Sequence, residues 1–281
     1  MSRKWTGFLF TLPAILLVSV VLLIPLSASI LMSLRDSSGL GLHQYAKLIQ
    51  DEGARHSFLV TFVFTLLSLA GHFALGFIAA LLLKTRLYLS KLWRVLLLIP
   101  WIISPVICGV IWRWMLDPLY GVIHYWLTDL GLISQPILWL ENPFFAVASV
   151  TLAWIWTGFP FVMLIILAGL QQIPESLYEA AKVDGASGLQ RFGYITLPNL
   201  KMVLVVAALL DIIQCFRAFS SIYVMTHGGP GGATNIISIF IFKHAFEYFN
   251  FEYASAAGVS MALILLFLGY LYMKLIEEEV V

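Results

Sequence analysis

Residues 142–173 read NPFFAVASVTLAWIWTGFPFVMLIILAGLQQI and contain no Asp, Glu, Lys or Arg. A membrane-spanning helix needs about 20 mostly apolar residues, so this run is long enough to cross a bilayer. The sequence therefore predicts an all-α integral membrane protein with six transmembrane helices. The other five predicted spans are residues 8–34, 57–83, 95–112, 202–225 and 254–273.

The composition of the whole chain agrees with a lipid environment. Of its 281 residues, 61% are hydrophobic and 11% are charged, whereas a soluble domain carries about 25% charged residues. A soluble chain of this size exposes too much surface to hide that much apolar side chain. A soluble enzyme, a disordered chain and a nucleic-acid binder are therefore excluded, and the net charge of +1 offers nucleic acid no strong attraction. Cys108 and Cys215 lie in apolar runs and cannot form a disulfide framework.

Prolines lie within several of the predicted spans. Pro100 and Pro105 lie in the third span and Pro160 lies in the fourth. A helix bundle tolerates such prolines because neighbouring helices satisfy the freed carbonyls. We expect each proline to kink its helix.

The distribution of Lys and Arg predicts the orientation of the chain. If the N-terminus is inside, the inner connections hold ten basic residues and the outer ones hold five. Four of the ten lie in residues 84–94, which contain no acid. This bias predicts that both termini are cytoplasmic. For domains, we expect residues 1–56 to form a first transmembrane helix with an outer loop, and residues 57–276 to form a five-helix core.

The connection between the fourth and fifth spans, residues 171–198, reads QQIPESLYEAAKVDGASGLQRFGYITLP. Pro174 suits the start of a helix, and Glu175 then lies in the first turn, where the helix dipole favours an acid. Gly185 or Gly188 can end that helix. We therefore predict a short helix over residues 175–184.

This connection resembles a known motif, the EAA loop of binding-protein-dependent ABC importer permeases. Asp184 and Phe192 are similar to residues of the carbohydrate-transporting subset. The residues that carry the resemblance are Glu179, Ala180, Ala181, Gly185, Ile195, Leu197 and Pro198.

Two further stretches resemble the first permease subunit of maltose-type importers. One is Thr226-His227-Gly228-Gly229-Pro230, followed by Thr234. The other is residues 249–257, FNFEYASAA, in which Phe251 stands where Tyr or Gly is more usual. The resemblance extends over about residues 8–276, which is nearly the whole chain.

The resemblance implies a type I ABC importer permease in the inner (plasma) membrane, which carries a sugar or oligosaccharide into the cytoplasm by alternating access. It implies four kinds of partner: a second permease subunit in a heterodimer, two ATP-binding subunits, an extracytoplasmic solute-binding protein and the sugar itself. The EAA loop, with Asp184, would form a coupling helix seated on an ATP-binding subunit. ATP and Mg would be used by those partner subunits.

The residues of this chain agree with a passive role. The sequence has no G-x-x-x-x-G-K-[ST] loop to hold phosphates, and the glycine-rich residues 228–232 lack the lysine. Neither a nucleophile–base pair nor a metal-ligand cluster is evident in the sequence. We therefore expect no enzyme activity, cofactor or metal in this chain.

Polar residues of the fifth span are candidates for the substrate path. Asp211, Gln214 and Arg217 are three residues apart, so they share one broad helix face. Charges at membrane depth normally face a bundle interior or a wet cavity. The face is either a wall of the path or a structural polar network. Trp154 and Trp156 of the fourth span suit sugar rings, although most such aromatics serve packing.

Two other classes of protein remain as alternatives. An ion-coupled secondary carrier of a polar solute would use Asp211 or His72 as its coupling group, but it needs no docking helix like residues 175–184. His72 is more typical of a hydrogen bond between helices. A membrane-embedded enzyme would need clustered His, Asp and Glu at membrane depth, which the sequence does not suggest.

Overall fold

The computed structural model describes residues 3–36, 39–85 and 89–280, most of them helical. Arg86, one of the four basic residues of the 84–94 segment, lies outside the described residues. In chain order the elements are α1 (Arg3–Ser33), β1 (Arg35–Asp36), β2 (Gly39–Leu40), α2 (His43–Gln50), α3 (Glu52–Lys84), α4 (Ser90–Ile102), α5 (Pro105–Met115), α6 (Val122–Asp129), α7 (Pro143–Gln172), α8 (Glu175–Val183), α9 (Gly188–Arg191), a π-helical turn (Phe192–Thr196), α10 (Leu197–Phe216), α11 (Ser220–Thr226), α12 (Ile237–Phe242), a second π-helical turn (Lys243–Glu247) and α13 (Phe251–Val280).

Within the described residues, five helices are long and apolar enough to cross a membrane. They confirm the predicted class of all-α integral membrane protein. The helix α7 shows how the sequence defines such an element: the Asn142 side chain accepts hydrogen bonds from the backbone N–H groups of Phe144 and Phe145, and α7 continues through Pro160. The five apolar segments are Phe10–Ser33, Glu52–Lys84, Pro143–Gln172, Gly188–Phe216 and Phe251–Lys274.

The third predicted span, residues 95–112, is not one continuous helix. It is divided into α4 and α5, which meet at an angle of 92°. Ile103 and Ser104 are extended between them, with ψ angles of 134° and 133°. Pro105 explains the break, because a proline disfavours the helical conformation of the residue before it. A single kinked helix was therefore the wrong expectation, and the pair counts as a sixth crossing only if it is taken as one broken span.

The fifth predicted span, residues 202–225, is also interrupted. The helix α10 ends at Phe216, Arg217 is its C-terminal cap, and α11 begins at Ser220. The carbonyl of Ala218 accepts a hydrogen bond from the Ser238 hydroxyl, which satisfies a backbone group at the break. The predicted span contains no proline or glycine, and Arg217 alone did not reveal the interruption.

The described residues form two compact units. One combines the chain up to His56 with Phe240–Ile264, and the other combines Ser57–Ile239 with the chain from Leu265 onward. The predicted division between residues 1–56 and 57–276 stays a prediction.

The larger unit has a core in which α3, α7 and α10 pack closely. Small residues permit the close approach: a Cβ on Gly76 would lie 3.0 Å from the backbone nitrogen of Met163, and one on Gly169 would lie 2.8 Å from Leu200. Such glycines are typical of helix contacts in membranes, where van der Waals packing drives association. The fully buried side chains at this contact include Val162, Met163, Ile166 and Leu200.

The smaller unit contains a short antiparallel hairpin in which Arg35 pairs with Leu40. Its buried centre is Tyr253, whose hydroxyl donates a hydrogen bond to Asp51. The ring of His244 lies 4.9 Å from the ring of Tyr253, and the ammonium of Lys47 lies 5.0 Å from it. We call Lys47, Asp51, His244 and Tyr253 the Tyr253 cluster.

Candidate functional site

A cavity of about 260 Å³ lies in the larger unit, where the break between α4 and α5 faces α3, α7 and α10. Its wall is polar on the α10 side and aromatic on the α4 and α7 sides. Because α4 and α5 diverge at Ile103, the break leaves room that a straight helix would fill. The residues that line the cavity are His72, Trp101, Ile103, Pro105, Trp154, Thr157, Gly158, Phe161, Asp211, Gln214 and Arg217.

A buried hydrogen-bonded pair, His72 and Asp211, forms part of the polar wall of the cavity. The Nδ1 atom of His72 lies 2.9 Å from Oδ1 and 2.8 Å from Oδ2 of Asp211. Its Nε2 atom lies 3.1 Å from the carbonyl oxygen of Trp154. Both ring nitrogens therefore lie within hydrogen-bond distance of oxygen atoms. The pair connects α3 with α10 and, through the carbonyl, with α7.

The ring of His72 packs directly against the backbone at Gly158. A Cβ on Gly158 would lie 2.2 Å from Nε2 and 2.5 Å from Cε1 of the imidazole. The side chains of His72 and Asp211 are 1% and 3% exposed. His72 thus makes the hydrogen bond between helices that the sequence favoured. The partner of that bond, Asp211, is 139 residues away and was not predicted.

The three polar residues of α10 do lie along one side of the cavity, as their spacing predicted. They differ in accessibility, because Asp211 is buried against His72 while Gln214 and Arg217 are exposed. Asp211 therefore acts as part of a packed network, and the amide and guanidinium groups of the other two remain available in the cavity. The hydrogen bond of Asp211 to His72 makes that residue part of a structural network, and a role of Gln214 and Arg217 in the substrate path stays a prediction.

The aromatic side of the cavity contains two residues that the sequence did not single out. Trp101, just before the helix break, stacks on Phe161 with ring centroids 6.2 Å apart. Trp154 lines the cavity as well, whereas Trp156 lies elsewhere and packs edge-on against Trp112 at 6.1 Å. The proximity of Trp101 to Pro100 and Pro105 was a signal in the sequence, but its contact with Phe161 of α7 is seen only in the structure.

The predicted short helix of the 171–198 connection is α8, Glu175–Val183, capped by Asp184. Gly185 has a φ of +78° and its N–H donates to the carbonyl of Lys182, which ends the helix as predicted. Ser187 and Gln190 then form a reciprocal capping box that starts α9, a feature missed in the sequence.

The loop that carries the EAA residues presents an accessible surface. Glu179 and Ala180 are exposed, and Ala181 is half-buried. Two nearby apolar side chains are also exposed: Val183 is 88% exposed and Leu189 is 85% exposed. An exposed apolar and acidic surface of this kind is typical of a contact with another protein. Toward α10, Ile195 is half-buried, while Leu197 and Pro198 are exposed.

The glycine-rich motif at 226–234 is a structured turn. The hydroxyls of Thr226 and Thr234 lie 2.6 Å apart, and Thr234 donates to the carbonyl of Gly229 at 2.8 Å. Gly228 has a φ of +82°, a conformation that favours glycine, and Pro230 follows Gly229 in a cis peptide. The motif residues Gly228, Gly229 and Pro230 thus have a structural explanation in this chain.

Three potential metal ligands lie close together, although the sequence suggested no such cluster. Ligand atoms of His72, Asp211 and Cys215 all lie within 4.8 Å of one another. Both nitrogens of His72 already make hydrogen bonds, one to Asp211 and one to the Trp154 carbonyl. The trio therefore fits a hydrogen-bonded network better than a metal site.

These features define a polytopic helical membrane protein with a polar and aromatic cavity and a short exposed helix beside the bundle. Residues 72–281 match the family described as "Binding-protein-dependent transport system inner membrane component". The chain belongs to this family, which confirms the predicted resemblance and the inner-membrane assignment. The ion-coupled carrier is not favoured.

Relatives with known names are similar along almost their entire length. The trehalose/maltose transport permease MalF of Thermococcus litoralis is 37% identical over 95% of this chain and 92% of that protein. The sulfoquinovosyl glycerol permease SmoG of Agrobacterium fabrum is 34% identical, over 99% and 92%. The lactose permease LacF of Rhizobium radiobacter is 32% identical, over 97% and 94%. These relatives are permease components of transporters rather than enzymes.

The fold is also that of a solved transporter chain. A chain from a bacterial ABC transporter that imports the acidic polysaccharide alginate superposes with a TM-score of 0.84 at 24% identity. The match covers 97% of this chain and 96% of that one. It confirms the permease fold predicted from the sequence.

Proposed function

We propose that this chain is the sugar-carrying permease subunit of an ATP-driven importer and that the 260 Å³ cavity is part of the sugar path. The observation that carries the proposal is the pairing of a polar wall with an aromatic one. Sugars present hydroxyl groups at their edges and apolar C–H groups on their faces. A sugar site therefore needs both a polar wall and an aromatic wall. The names of the relatives MalF, SmoG and LacF, which all include a sugar or sugar derivative, support the same substrate class.

Each wall has a definite chemical role in this proposal. The Gln214 amide donates and accepts hydrogen bonds, and the Arg217 guanidinium donates them to sugar oxygens. The rings of Trp101 and Trp154 offer flat apolar faces. Asp211 does not contact the sugar but holds α10 against α3 through His72.

The coupling part of the proposal concerns α8. Its exposed surface seats in a cleft of an ATP-binding subunit, and Glu179, Ala180 and Ala181 make that contact. Asp184 and Gly185 end the helix, and Ile195, Leu197 and Pro198 connect it to α10. Movement of the ATP-binding subunits then reaches the cavity wall through α10. ATP and Mg are bound by two such partner subunits, and this chain binds no cofactor.

The orientation and the remaining partners complete the proposal. Both termini are cytoplasmic, in line with the excess of basic residues at the inner connections. A second permease subunit completes the path as a heterodimer, and an extracytoplasmic solute-binding protein delivers the sugar. The 226–234 turn, with Gly228, Gly229 and Pro230, lies on the outer side.

The experiment is to reconstitute the complete transporter and measure uptake with sugar-stimulated ATP hydrolysis. Gln214→Ala and Trp154→Phe should raise the KM for the sugar while subunits still assemble. Trp156→Phe is the matched control, because it lies on the same helix but packs against Trp112. If both cavity variants transport every stimulating sugar with an unchanged KM, the cavity is not the path.

A further inference from the structure

A second cavity, of about 540 Å³, lies at the end of the bundle that carries the EAA loop. It is bounded by the end of α3, by α8 and by the segment from α9 through the first π-helical turn. Three cationic side chains line it, Lys84, Lys182 and Arg191, against one carboxylate, Glu175. The lining therefore has an excess of positive charge, unlike the cavity beside His72.

Lys84 is held in position by an aromatic contact, whereas Arg191 has a buried donor without a partner. The ammonium of Lys84 lies 4.1 Å from the centre of the Tyr178 ring, a cation–π contact. Tyr178 is itself fixed, since its hydroxyl lies 2.9 Å from that of Thr196. The Nε atom of Arg191 is buried and has no hydrogen-bond partner among the described residues.

These charges are not neutralised within the described part of the chain. The ion pairs found there are Arg55 with Glu52 and His72 with Asp211, and neither involves Lys182 or Arg191. A buried donor without a partner is unfavourable, and more so when it belongs to a charged group. A phosphate offers several charged acceptor oxygens to guanidinium and ammonium groups at once.

The position of the cavity indicates which kind of phosphate-containing molecule could reach it. Lys84 is the last residue of the apolar helix α3, so the cavity lies where a membrane span ends. Leu81, Ile173 and Phe192 form its apolar side. Basic pockets between transmembrane helices at this depth bind anionic lipid headgroups.

We propose that this cavity binds the phosphate of an anionic phospholipid headgroup, with Lys182 and Arg191 as donors and Lys84 as the third cation. The bound lipid contacts both the end of α3 and α8. It thereby stabilises the position of this short helix on the side that faces the membrane. This inference does not depend on which solute the permease carries.

The test is lipid binding to the purified full-length chain, measured by native mass spectrometry in detergent with phosphatidylglycerol or phosphatidylcholine. We expect selective retention of phosphatidylglycerol. The double variant Lys182→Gln/Arg191→Gln should bind it roughly 30-fold more weakly, because each cation near an anionic surface contributes about a fivefold factor. Lys91→Gln is the control, since it removes one positive charge from the start of α4 outside the cavity and should leave binding unchanged.

Two further measurements keep the outcomes distinct. Arg191→Lys retains the charge and should keep most of the binding, which separates loss of the site from misfolding. Inorganic phosphate is titrated against the wild-type chain without lipid. Equal retention of both lipids, equal loss in Lys91→Gln, or binding of inorganic phosphate without preference for phosphatidylglycerol would each overturn the proposed lipid site.

Discussion

At the scale of single residues, Gly158 shows how tightly the polar cavity is built. A Cβ at this position would meet the His72 imidazole at 2.2 Å, and that ring is held by Asp211 and by the Trp154 carbonyl. We expect Gly158→Ala to lower the free energy of unfolding by about 1–3 kcal/mol, as overpacking of a close-packed site does. Gly269→Ala is the control, because nothing lies within 4 Å of its added Cβ. Unfolding in SDS, followed by tryptophan fluorescence, compares the two; equal stability of both variants would contradict the packing described here.

Gly185 is constrained for a different reason. Its φ is +78° but the space around an added Cβ is open, so a side chain would meet backbone strain rather than a clash. The left-handed conformation costs about 1–2 kcal/mol for a residue with a side chain. Gly185→Ala should therefore lower the population of correctly ended α8 by about fivefold to thirtyfold.

The readout for Gly185→Ala is sugar-stimulated ATP hydrolysis by the reconstituted transporter, which should fall while sugar affinity is retained. Gly188→Ala provides the comparison, since Gly188 also has open space but no positive φ. Normal stimulation in Gly185→Ala would show that α8 does not depend on this cap.

At the scale of elements, the Tyr253 cluster connects helix ends through groups that respond to pH. Burial would raise the pKa of Asp51, but hydrogen bonds from Tyr253, Gly53 and Ala54 outweigh it and keep that pKa below its usual value. Burial lowers the pKa of His244 below 6.5, with Lys47 adding to the decrease and Asp51 opposing it. The folded protein therefore holds His244 neutral where the unfolded chain already binds a proton.

The sign of the pH effect follows from that difference. Between the folded and unfolded pKa values of His244 the unfolded state binds more protons, so acidification favours unfolding. We expect the melting temperature of the purified chain to fall as pH drops below about 6.5, and His244→Gln to weaken this dependence. His43→Gln replaces an exposed histidine of α2 and should leave it unchanged. A pH profile identical in all three proteins would exclude His244 as the cause.

At the scale of the whole molecule, the orientation of the chain is the main prediction. The excess of basic residues in inner connections should place residues 84–94 and 171–198 in the cytoplasm and residues 113–141 outside. Reporter fusions at these three segments measure the orientation directly. A cytoplasmic location for 113–141 would mean that the bent pair α4–α5 enters and leaves the membrane on the same side.

Two features could be predicted from the sequence alone: the class of protein and the short helix α8 in the connection 171–198. Long apolar runs specify membrane helices locally, because each backbone group is satisfied within its own helix. Pro174 and Gly185 likewise delimit α8 through local conformational preferences. Neither inference needs to know what lies next to the segment in space.

The arrangement of the cavity depends on how the helices pack against one another in three dimensions. The 92° break between α4 and α5 follows from Pro105, yet the proline predicts no direction for Trp101. The pairing of His72 with Asp211 joins residues 139 positions apart, and it depends on how α3, α7 and α10 are rotated against one another. The sequence could not supply those rotations, because they arise from the packing of small residues such as Gly76, Gly158 and Gly169 between helices.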